Sequence, residues 1–328
     1  MKKAILFFSA ITIFLTSSCK KEDQDSSNES QDKPLYSVND LNKDIIEKNC
    51  TILATGFNEV LTDPSLSYVN ADKDFFCRAF THAAIFFDDN SGSVGLEGIN
   101  GITISDPMNK SREGKSNADD KDADNNLIVP KWLDIINYAG SGYYQYNKLD
   151  VQGGSVKKKY TSYVKSIGAV NGYFQSGFFH SDNPKLYSIN ELNEQLVKNS
   201  VTTVSAGLGA LYKDFSLDSL QGVNVMRKFL DKIRFFDNKS GYFYVLNLDG
   251  YNLVQPPDHS VQGVNRYDLK DSRGTYLVRG LIETAKNGGG FYTYYYMNPA
   301  TNKEEMKKAY VKLIPGTNYF LGAGVYLN

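Results

Sequence analysis

The chain contains the same sequence pattern twice. Residues 36–42 read Tyr-Ser-Val-Asn-Asp-Leu-Asn, and residues 187–193 read Tyr-Ser-Ile-Asn-Glu-Leu-Asn, 151 positions later. Further blocks recur in the same order, at offsets of 149 and 147: 86–92 with 235–241, 121–122 with 270–271, and 162–165 with 309–312. A period near 150 is too long for a solenoid and has the size of one globular domain. The sequence therefore predicts a duplicated domain, with copies at 35–182 and 183–328.

Residues 1–18 have the composition of a signal peptide. Lys2 and Lys3 precede an apolar run of about a dozen residues, which is too short to span a bilayer as a helix. The small residues that lead into Cys19 resemble a bacterial lipoprotein signal, in which the cysteine becomes the lipidated N-terminus. The alternative is an ordinary signal peptide with an incidental cysteine.

The segment that follows, 19–34, is almost entirely polar and is predicted to be a disordered tether. Its Lys-Lys-Glu-Asp at 20–23 resembles the surface-export signal of Bacteroidetes lipoproteins, with a plain solvated linker as the alternative. We therefore expect a protein that is lipid-anchored to the outer membrane, with the cell surface as a further location.

Charge and cysteine content restrict the function. The chain has 36 Lys plus Arg and 37 Asp plus Glu, so no charge excess predicts nucleic-acid binding. Cys50 and Cys77 correspond to the apolar residues Val201 and Met226 in the second copy, which predicts that both face the core. Two readings stay open for them: a disulfide between neighbouring helices or two buried free thiols.

Each copy begins with a helical pattern. Ser188 with Glu191, and Ser37 with Asp40, fit capping boxes that start long amphipathic helices. Gly56 and Gly207 occupy matching helical positions, which indicates close packing against another element. Second helices are predicted at 75–87 and 223–236. In the second copy, a hairpin (241–254), a helix (276–286) and three strands (291–297, 309–313 and 319–326) follow. This order predicts an α+β fold with helices on one face of an antiparallel sheet.

The second copy resembles the single Cache domain, an extracytoplasmic sensor module of bacterial chemoreceptors and histidine kinases. The resemblance rests on the following segments: 241–250, Gln255-Pro256, Gly263, 268–271, 288–291, 310–312, Pro315-Gly316 and 322–326. The first copy resembles a degenerate Cache domain, because Ser93-Val94-Gly95-Leu96 replaces the aromatic strand. The resemblance implies two PAS-like domains, each with a long N-terminal helix packed on a curved antiparallel sheet.

The resemblance also implies a pocket for a small ligand, in this family mostly an organic acid. The residues on the strands that form the family's pocket are Tyr242, Tyr244, Gln255, Tyr292, Tyr294, Tyr310 and Lys312. Many family members carry a histidine where this chain has Gln255, matched here with Ser105 in the first copy. Four arginines are candidate carboxylate clamps that read more readily as surface charges: Arg227, Arg234, Arg266 and Arg279.

Other polar runs predict no site. Asp120, Asp122 and Asp124 have the spacing of a calcium loop, but Asn125 and Lys131 stand where that loop needs Gly and Glu, so an acidic surface loop is favoured. The basic runs Lys157-Lys158-Lys159 and Lys307-Lys308 are interpreted as edge-strand or turn charges that block sheet pairing.

No catalytic motif, cofactor motif or metal-ligand spacing is recognised, and we expect no enzyme. The chain ends on its last predicted strand, so we expect any signal to pass through a protein partner. The predicted function is a lipid-anchored small-molecule sensor. The alternative is an interaction or structural module that keeps the fold without binding a ligand.

Overall fold

A computed structural model describes residues 34–150 and 155–327. The predicted signal peptide, Cys19 and nearly all of the predicted tether lie outside the described residues. Within the described ranges, no helix combines the length and the apolar character needed to cross a membrane.

The first half contains a long helix, shorter helices and a five-stranded antiparallel sheet in the order β3-β2-β6-β5-β4. Its elements are β1 (Tyr36–Ser37), α1 (Val38–Leu61), α2 (Ser67–Asn70), α3 (Lys73–Ala83), β2 (Gly95–Gly98), β3 (Thr103–Ser105), α4 (Val129–Ala139), β4 (Ser141–Asp150), β5 (Val156–Ile167) and β6 (Gly172–Phe179).

The second half repeats this arrangement with a sheet in the order β10-β11-β12-β8-β9. Its elements are β7 (Leu186–Tyr187), α5 (Ile189–Asp214), α6 (Ser219–Leu230), β8 (Tyr244–Asn247), β9 (Asn252–Val254), α7 (Leu277–Lys286), β10 (Gly290–Asn298), β11 (Lys303–Leu313) and β12 (Tyr319–Tyr326). The predicted α+β class, with a long helix packed on an antiparallel sheet in each half, is confirmed.

Both long helices start at the predicted caps. Ser37 and Ser188 each accept a hydrogen bond from the backbone of the residue three positions on, and the side chains of Asp40 and Glu191 bond back to the cap residues. These reciprocal bonds satisfy backbone N–H groups that a helix start otherwise leaves unpaired.

The prediction that helices cover one face of the sheet is wrong. Helix α5 packs on one face of the second sheet, and α7 packs on the other face against β10 and β11. Alternating residues of β11 divide accordingly: Tyr310 packs with the long-helix core, whereas Ala309 and Val311 pack with α7. Each sheet is therefore the middle layer of three.

The second helices end earlier than predicted, at Ala83 and Leu230. The repeated Phe-Phe-Asp block that follows forms a tight turn, in which Phe86 pairs with Gly92 and Phe235 with Gly241. A Cβ atom on Gly92 would lie 2.3 Å from the Phe86 ring, so this turn needs glycine at that position.

The two halves pack as one compact unit, residues Pro34–Asn328, so the boundary between 182 and 183 remains a prediction about sequence units. Equivalent residues of the two halves contact each other in pairs, as a pseudo-two-fold axis requires. Tyr36 pairs with its repeat equivalent Tyr187 in the β1–β7 ladder. A Cβ on Gly56 would lie 2.5 Å from the Phe229 ring, and a Cβ on Gly207 would lie 2.2 Å from the Phe80 ring.

The rings of Phe80 and Phe229 stack on each other, with centroids 5.1 Å apart. The predicted close packing at both helical glycines is confirmed, and each glycine accepts a ring from the other half.

The two described cysteines lie in this shared core. Cys50 and Cys77 are both free and fully buried, so the structure matches the free-thiol reading rather than the disulfide. Burial raises the pKa of both thiols well above its ordinary value.

Candidate functional site

A small cavity lies in the second half between the sheet and α7. Its atom-free space is about 320 Å³, of which about 20 Å³ can hold the centre of a water molecule, roughly the room for one water. The lining residues are Tyr242, Tyr244, Leu246, Asn252, Gln255, Arg266, Leu269, Leu277, Val278, Leu281, Tyr294 and Tyr296.

The local sequence explains why these residues meet. Strand alternation places Tyr294 and Tyr296 on the same face of β10, and Tyr244 and Leu246 on the same face of β8. The Tyr244 ring lies over Gly322 of the neighbouring strand, where a Cβ atom would be 2.3 Å from the ring. The buried apolar residues of α7 close the other side.

One side of the cavity is a chain of hydrogen bonds. Asn252 Nδ2 donates to Gln255 Oε1 at 3.3 Å, and Gln255 Nε2 donates to the Tyr296 hydroxyl at 3.5 Å. Arg266 Nη1 donates to the same hydroxyl at 3.0 Å. Because the Tyr296 oxygen accepts from two donors, its own proton remains available to an acceptor in the cavity.

Lys307 lies directly behind the lining tyrosines. It is 1% exposed, and its Nζ lies 4.0 Å from the ring centroid of Tyr242 and 5.5 Å and 5.7 Å from those of Tyr244 and Tyr296. The Tyr326 ring is 5.0 Å away.

No carboxylate of residues 34–150 or 155–327 pairs with this ammonium group, and burial alone lowers the pKa of Lys307 to about 7. Aromatic faces attract a cation but do not replace its hydration completely. The second half therefore holds a buried, titratable cation beside a cavity that already contains a guanidinium group.

The structure brings together four of the seven predicted ligand residues. Tyr242, Tyr244, Gln255 and Tyr294 all line the cavity. Tyr292 is half-buried, and its ring lies against Gly280 of α7, next to the cavity but outside its lining.

The placement of Tyr310 and Lys312 was predicted wrongly. Both side chains lie on the face of β11 that packs against α5, opposite to the cavity. The cavity face of β11 carries Lys307, Ala309 and Val311, each at most 1% exposed. The family pattern located the correct strand, but a shift of one residue exchanges its two faces.

Two functional candidates were missed or undervalued by the sequence. Lys307 was read as an edge-strand charge, yet β11 is internal, between β10 and β12. Strand alternation places Lys307 on the same face of β11 as Ala309 and Val311, and this pattern could have identified it. Arg266 was read as a surface charge and instead lines the cavity. The sequence does not indicate that Arg266 faces a cavity, because Arg266 lies in a loop, where no periodic pattern assigns a face.

The other three arginines lie elsewhere. Arg227 donates to the Leu253 carbonyl, and Arg234 donates to the carbonyls of Asp231 and Ile233. Arg279 is exposed and pairs with Asp268. None of the three lines the cavity.

The equivalent place in the first half is built differently. The strand registers match Lys307 with Tyr160 and Tyr296 with Lys148, so the cation and the aromatic ring have exchanged strands. Lys148 Nζ lies 4.4 Å from the Tyr160 ring centroid, and that ring occupies the space left by Gly177. Lys148 is exposed as a whole residue, although burial of its amino group still lowers its pKa.

The first strand of this half is also kept, contrary to the expectation that it was lost. Strand β2 pairs with β3 and β6 in the same way as β8 pairs with β9 and β12; only the aromatic side chains are missing. The same register shows that Gln255 corresponds to Asp106 and not to Ser105. Ser105 is opposite Leu96 just as Val254 is opposite Val245.

The first half also has an acid where the second has Leu246. Glu97 is 3% exposed and accepts a hydrogen bond of 2.5 Å from Asn117 Nδ2. Burial raises the pKa of Glu97 to about 7, against smaller lowering effects from Thr103 and Arg112. The two halves therefore have different charge at equivalent positions.

The Asp-rich loop supports its own backbone. Asp122 accepts backbone hydrogen bonds from Asp124 and Asn126, and its repeat equivalent Asp271 accepts from Arg273 and Thr275. This duplicated Asx-type turn explains the spacing that resembles a calcium loop.

A second, larger cleft of about 480 Å³ lies where the end of α1 meets α6. Two ion-pair contacts lie in this cleft: Lys228 with Asp63 at 2.9 Å, and His259 with Asp231 at 2.5 Å. We regard the smaller cavity as the candidate site, because four of the predicted ligand residues line it and its lining contains no acid.

The comparisons with known proteins find similarities to parts of this chain. Residues 189–328 match the family model of single Cache domain 2, so less than half of the chain is covered. The sensor histidine kinase MctS of Rhizobium johnstonii is 38% identical over 90 residues, which are 27% of this chain and 20% of that protein. This chain thus spans about a fifth of that relative's length.

Two solved structures are similar. A methyl-accepting chemotaxis protein of Vibrio parahaemolyticus is 26% identical, with 42% of this chain and 89% of that chain covered and a TM-score of 0.36. A Cache chemosensory domain, described for its carboxylic acid recognition, is 21% identical, with coverages of 42% and 94% and a TM-score of 0.38. The similarity to the single Cache domain 2 model is confined to the second half of the chain.

Proposed function

We propose that the second half of this chain binds a small carboxylate in the cavity beneath α7 and that the protein is an extracytoplasmic sensor. The observation that carries this proposal is the charge of the site. Arg266 lines the cavity, Lys307 lies behind its tyrosines, and the lining contains no acid. Tyrosine hydroxyls and a guanidinium group are suitable donors for a carboxylate, and the apolar residues of α7 suit a short hydrocarbon part.

Binding can be measured by calorimetry and thermal shift on the full chain with acetate, propionate and succinate, and with the uncharged amides as controls. A ligand at 100 times its dissociation constant should stabilise the fold by about 2.7 kcal/mol. Arg266→Met should lower affinity about tenfold or more, because it removes a charged donor. Arg273→Met is the matched control, since Arg273 is exposed and its guanidinium lies over Tyr295. Equal binding of acids and amides would contradict the proposal.

The size of the cavity supports a second candidate function. With room for about one water molecule, the site is nearly filled by its own side chains, as in a module that keeps the fold without a ligand. In that case no carboxylate at millimolar concentration shifts the melting temperature, and Arg266→Met changes nothing but stability.

We also propose that Cys19 carries a lipid, that the tether 19–34 links it to the two repeats, and that signal output passes through a protein partner. The lipoprotein-like sequence supports the anchor, and the extracytoplasmic setting of Cache domains supports the location. Mass spectrometry of the N-terminal peptide tests the modification. Cys19→Ala should release the protein from the membrane fraction, and retention there with no lipid on the peptide would contradict the anchor.

A further inference from the structure

The geometry points to a ligand that carries a hydroxyl group beside its carboxylate, with Asn252 as the residue that selects it. This inference rests on the proposed carboxylate site and narrows its ligand class to short hydroxy acids. Asn252 lines the cavity and is 2% exposed. Its Oδ1 accepts no hydrogen bond from any residue in the described ranges.

The orientation of the Asn252 amide is fixed by its neighbour. Its Nδ2 donates to Gln255 Oε1, and Gln255 in turn donates through Nε2 to Tyr296, which also accepts from Arg266. Asn252 and Gln255 each donate toward Tyr296, so Asn252 Oδ1 remains as an acceptor at the end of the chain. A buried acceptor without a donor is costly, and a ligand that brings a donor removes this cost.

The donor is a neutral hydroxyl rather than an ammonium group. The only charged residue in the lining is Arg266, and the nearby buried charge is Lys307. An ammonium group in the cavity would face two cations and no carboxylate. Acids with a 2-amino group are therefore disfavoured, whereas a hydroxyl satisfies Asn252 without adding charge.

The small volume makes this selection effective. Because the cavity is this small and both residues line it, a ligand held by Arg266 also lies close to Asn252. A site built to bond a hydroxyl rejects the analogue without it, because its own polar group is then left unpaired. Gln255, at the position where relatives often have a histidine, holds Asn252 in this orientation.

The test compares lactate, pyruvate, propionate and alanine, which differ only in the group next to the carboxylate, by calorimetry on the full chain. We expect lactate to bind at least about tenfold tighter than propionate or pyruvate, and alanine more weakly than propionate. Asn252→Leu, which removes the acceptor, should bring lactate and propionate within about twofold of each other.

The glycolate and acetate pair, measured on the unmodified chain, repeats the comparison without any variant. Propionate binding as tightly as lactate, pyruvate binding more tightly, or a lactate preference that survives in Asn252→Leu would overturn the inference and leave the carboxylate site standing. Failure of all these acids to bind would overturn both.

Discussion

Replacing Lys307 by methionine should make the protein more stable at pH 6. The side chain is 1% exposed and has no carboxylate partner among residues 34–150 and 155–327, so its charge is buried at a cost. Burial lowers its pKa from 10.5 to about 7. That gap corresponds to about 5 kcal/mol, at 1.36 kcal/mol per pH unit. We therefore expect Lys307→Met to gain up to about 5 kcal/mol of stability at pH 6.

The stability gained by Lys307→Met depends on pH and is largest at low pH. Between pH 7 and 10.5 the unfolded chain holds a proton on Lys307 that the folded chain has released. The native protein therefore becomes more stable as pH rises through this window, by up to about 1.4 kcal/mol per pH unit. Lys307→Met lacks this dependence. Its advantage of up to about 5 kcal/mol at pH 6 should fall to about 2 kcal/mol at pH 9, because the native chain must still release a proton below the unfolded pKa of 10.5.

Urea unfolding followed by circular dichroism at pH 6 and pH 9 measures both values. Lys312→Met is the matched control, because Lys312 lies on the same strand but on the other face and is partly exposed. If Lys307→Met were less stable than the native chain at pH 6 while the control was unchanged, the ammonium would be making a net favourable contact and the reasoning would be wrong. Carboxylate affinity should fall in Lys307→Met and, in the native chain, on going from pH 6 to pH 9.

Three further outcomes test the packing and the site. Gly56→Ala should destabilise the fold by about 1 to 3 kcal/mol in thermal denaturation, because the new Cβ would lie 2.5 Å from the Phe229 ring. Adding Phe229→Leu should restore part of this loss. Gly168→Ala is the control and should cost little, because the space around Gly168 is open. Burial raises the pKa of Glu97 from 4.5 to about 7, so the contribution of its neutral form to folding stability is complete below pH 4.5 and is lost as pH rises through 7. Glu97→Gln should therefore be about 3 kcal/mol more stable than the native chain at pH 8 and no different at pH 4 in urea unfolding. Tyr310→Phe should leave carboxylate affinity unchanged, since that hydroxyl lies on the long-helix face, and a loss of more than threefold in calorimetry would place it in the site after all.

Much of the fold could be predicted because its signals are local. The capping boxes at Ser37 and Ser188 depend on residues three positions apart, and the structure shows both. The duplication was visible in repeated blocks, and strands β10 and β12 were located to within one residue at each end. The ends of α3 and α6 were not, because the turn at Phe86 and Phe235 depends on a glycine six residues later.

The candidate site could be predicted only in part. The aromatic strand pattern located Tyr242, Tyr244 and Tyr294, whose side chains share a face by simple alternation. The face of β11 was assigned wrongly because strand alternation has two registers, and the sequence does not say which one faces α7. Lys307 and Arg266 were not recognised as site residues, because a charged residue on a strand or loop is usually solvated.

The sequence by itself determined the duplicated α+β architecture, the starts of the long helices and the strand that holds the site, because each depends on neighbouring residues. Only the tertiary structure decided which face of β11 is enclosed, and therefore that Lys307 rather than Lys312 lies behind the cavity. It also decided that the two halves share one core, with Phe80 and Phe229 stacked between Gly56 and Gly207. Both outcomes depend on which surfaces cover one another, and such contacts join residues far apart in the chain.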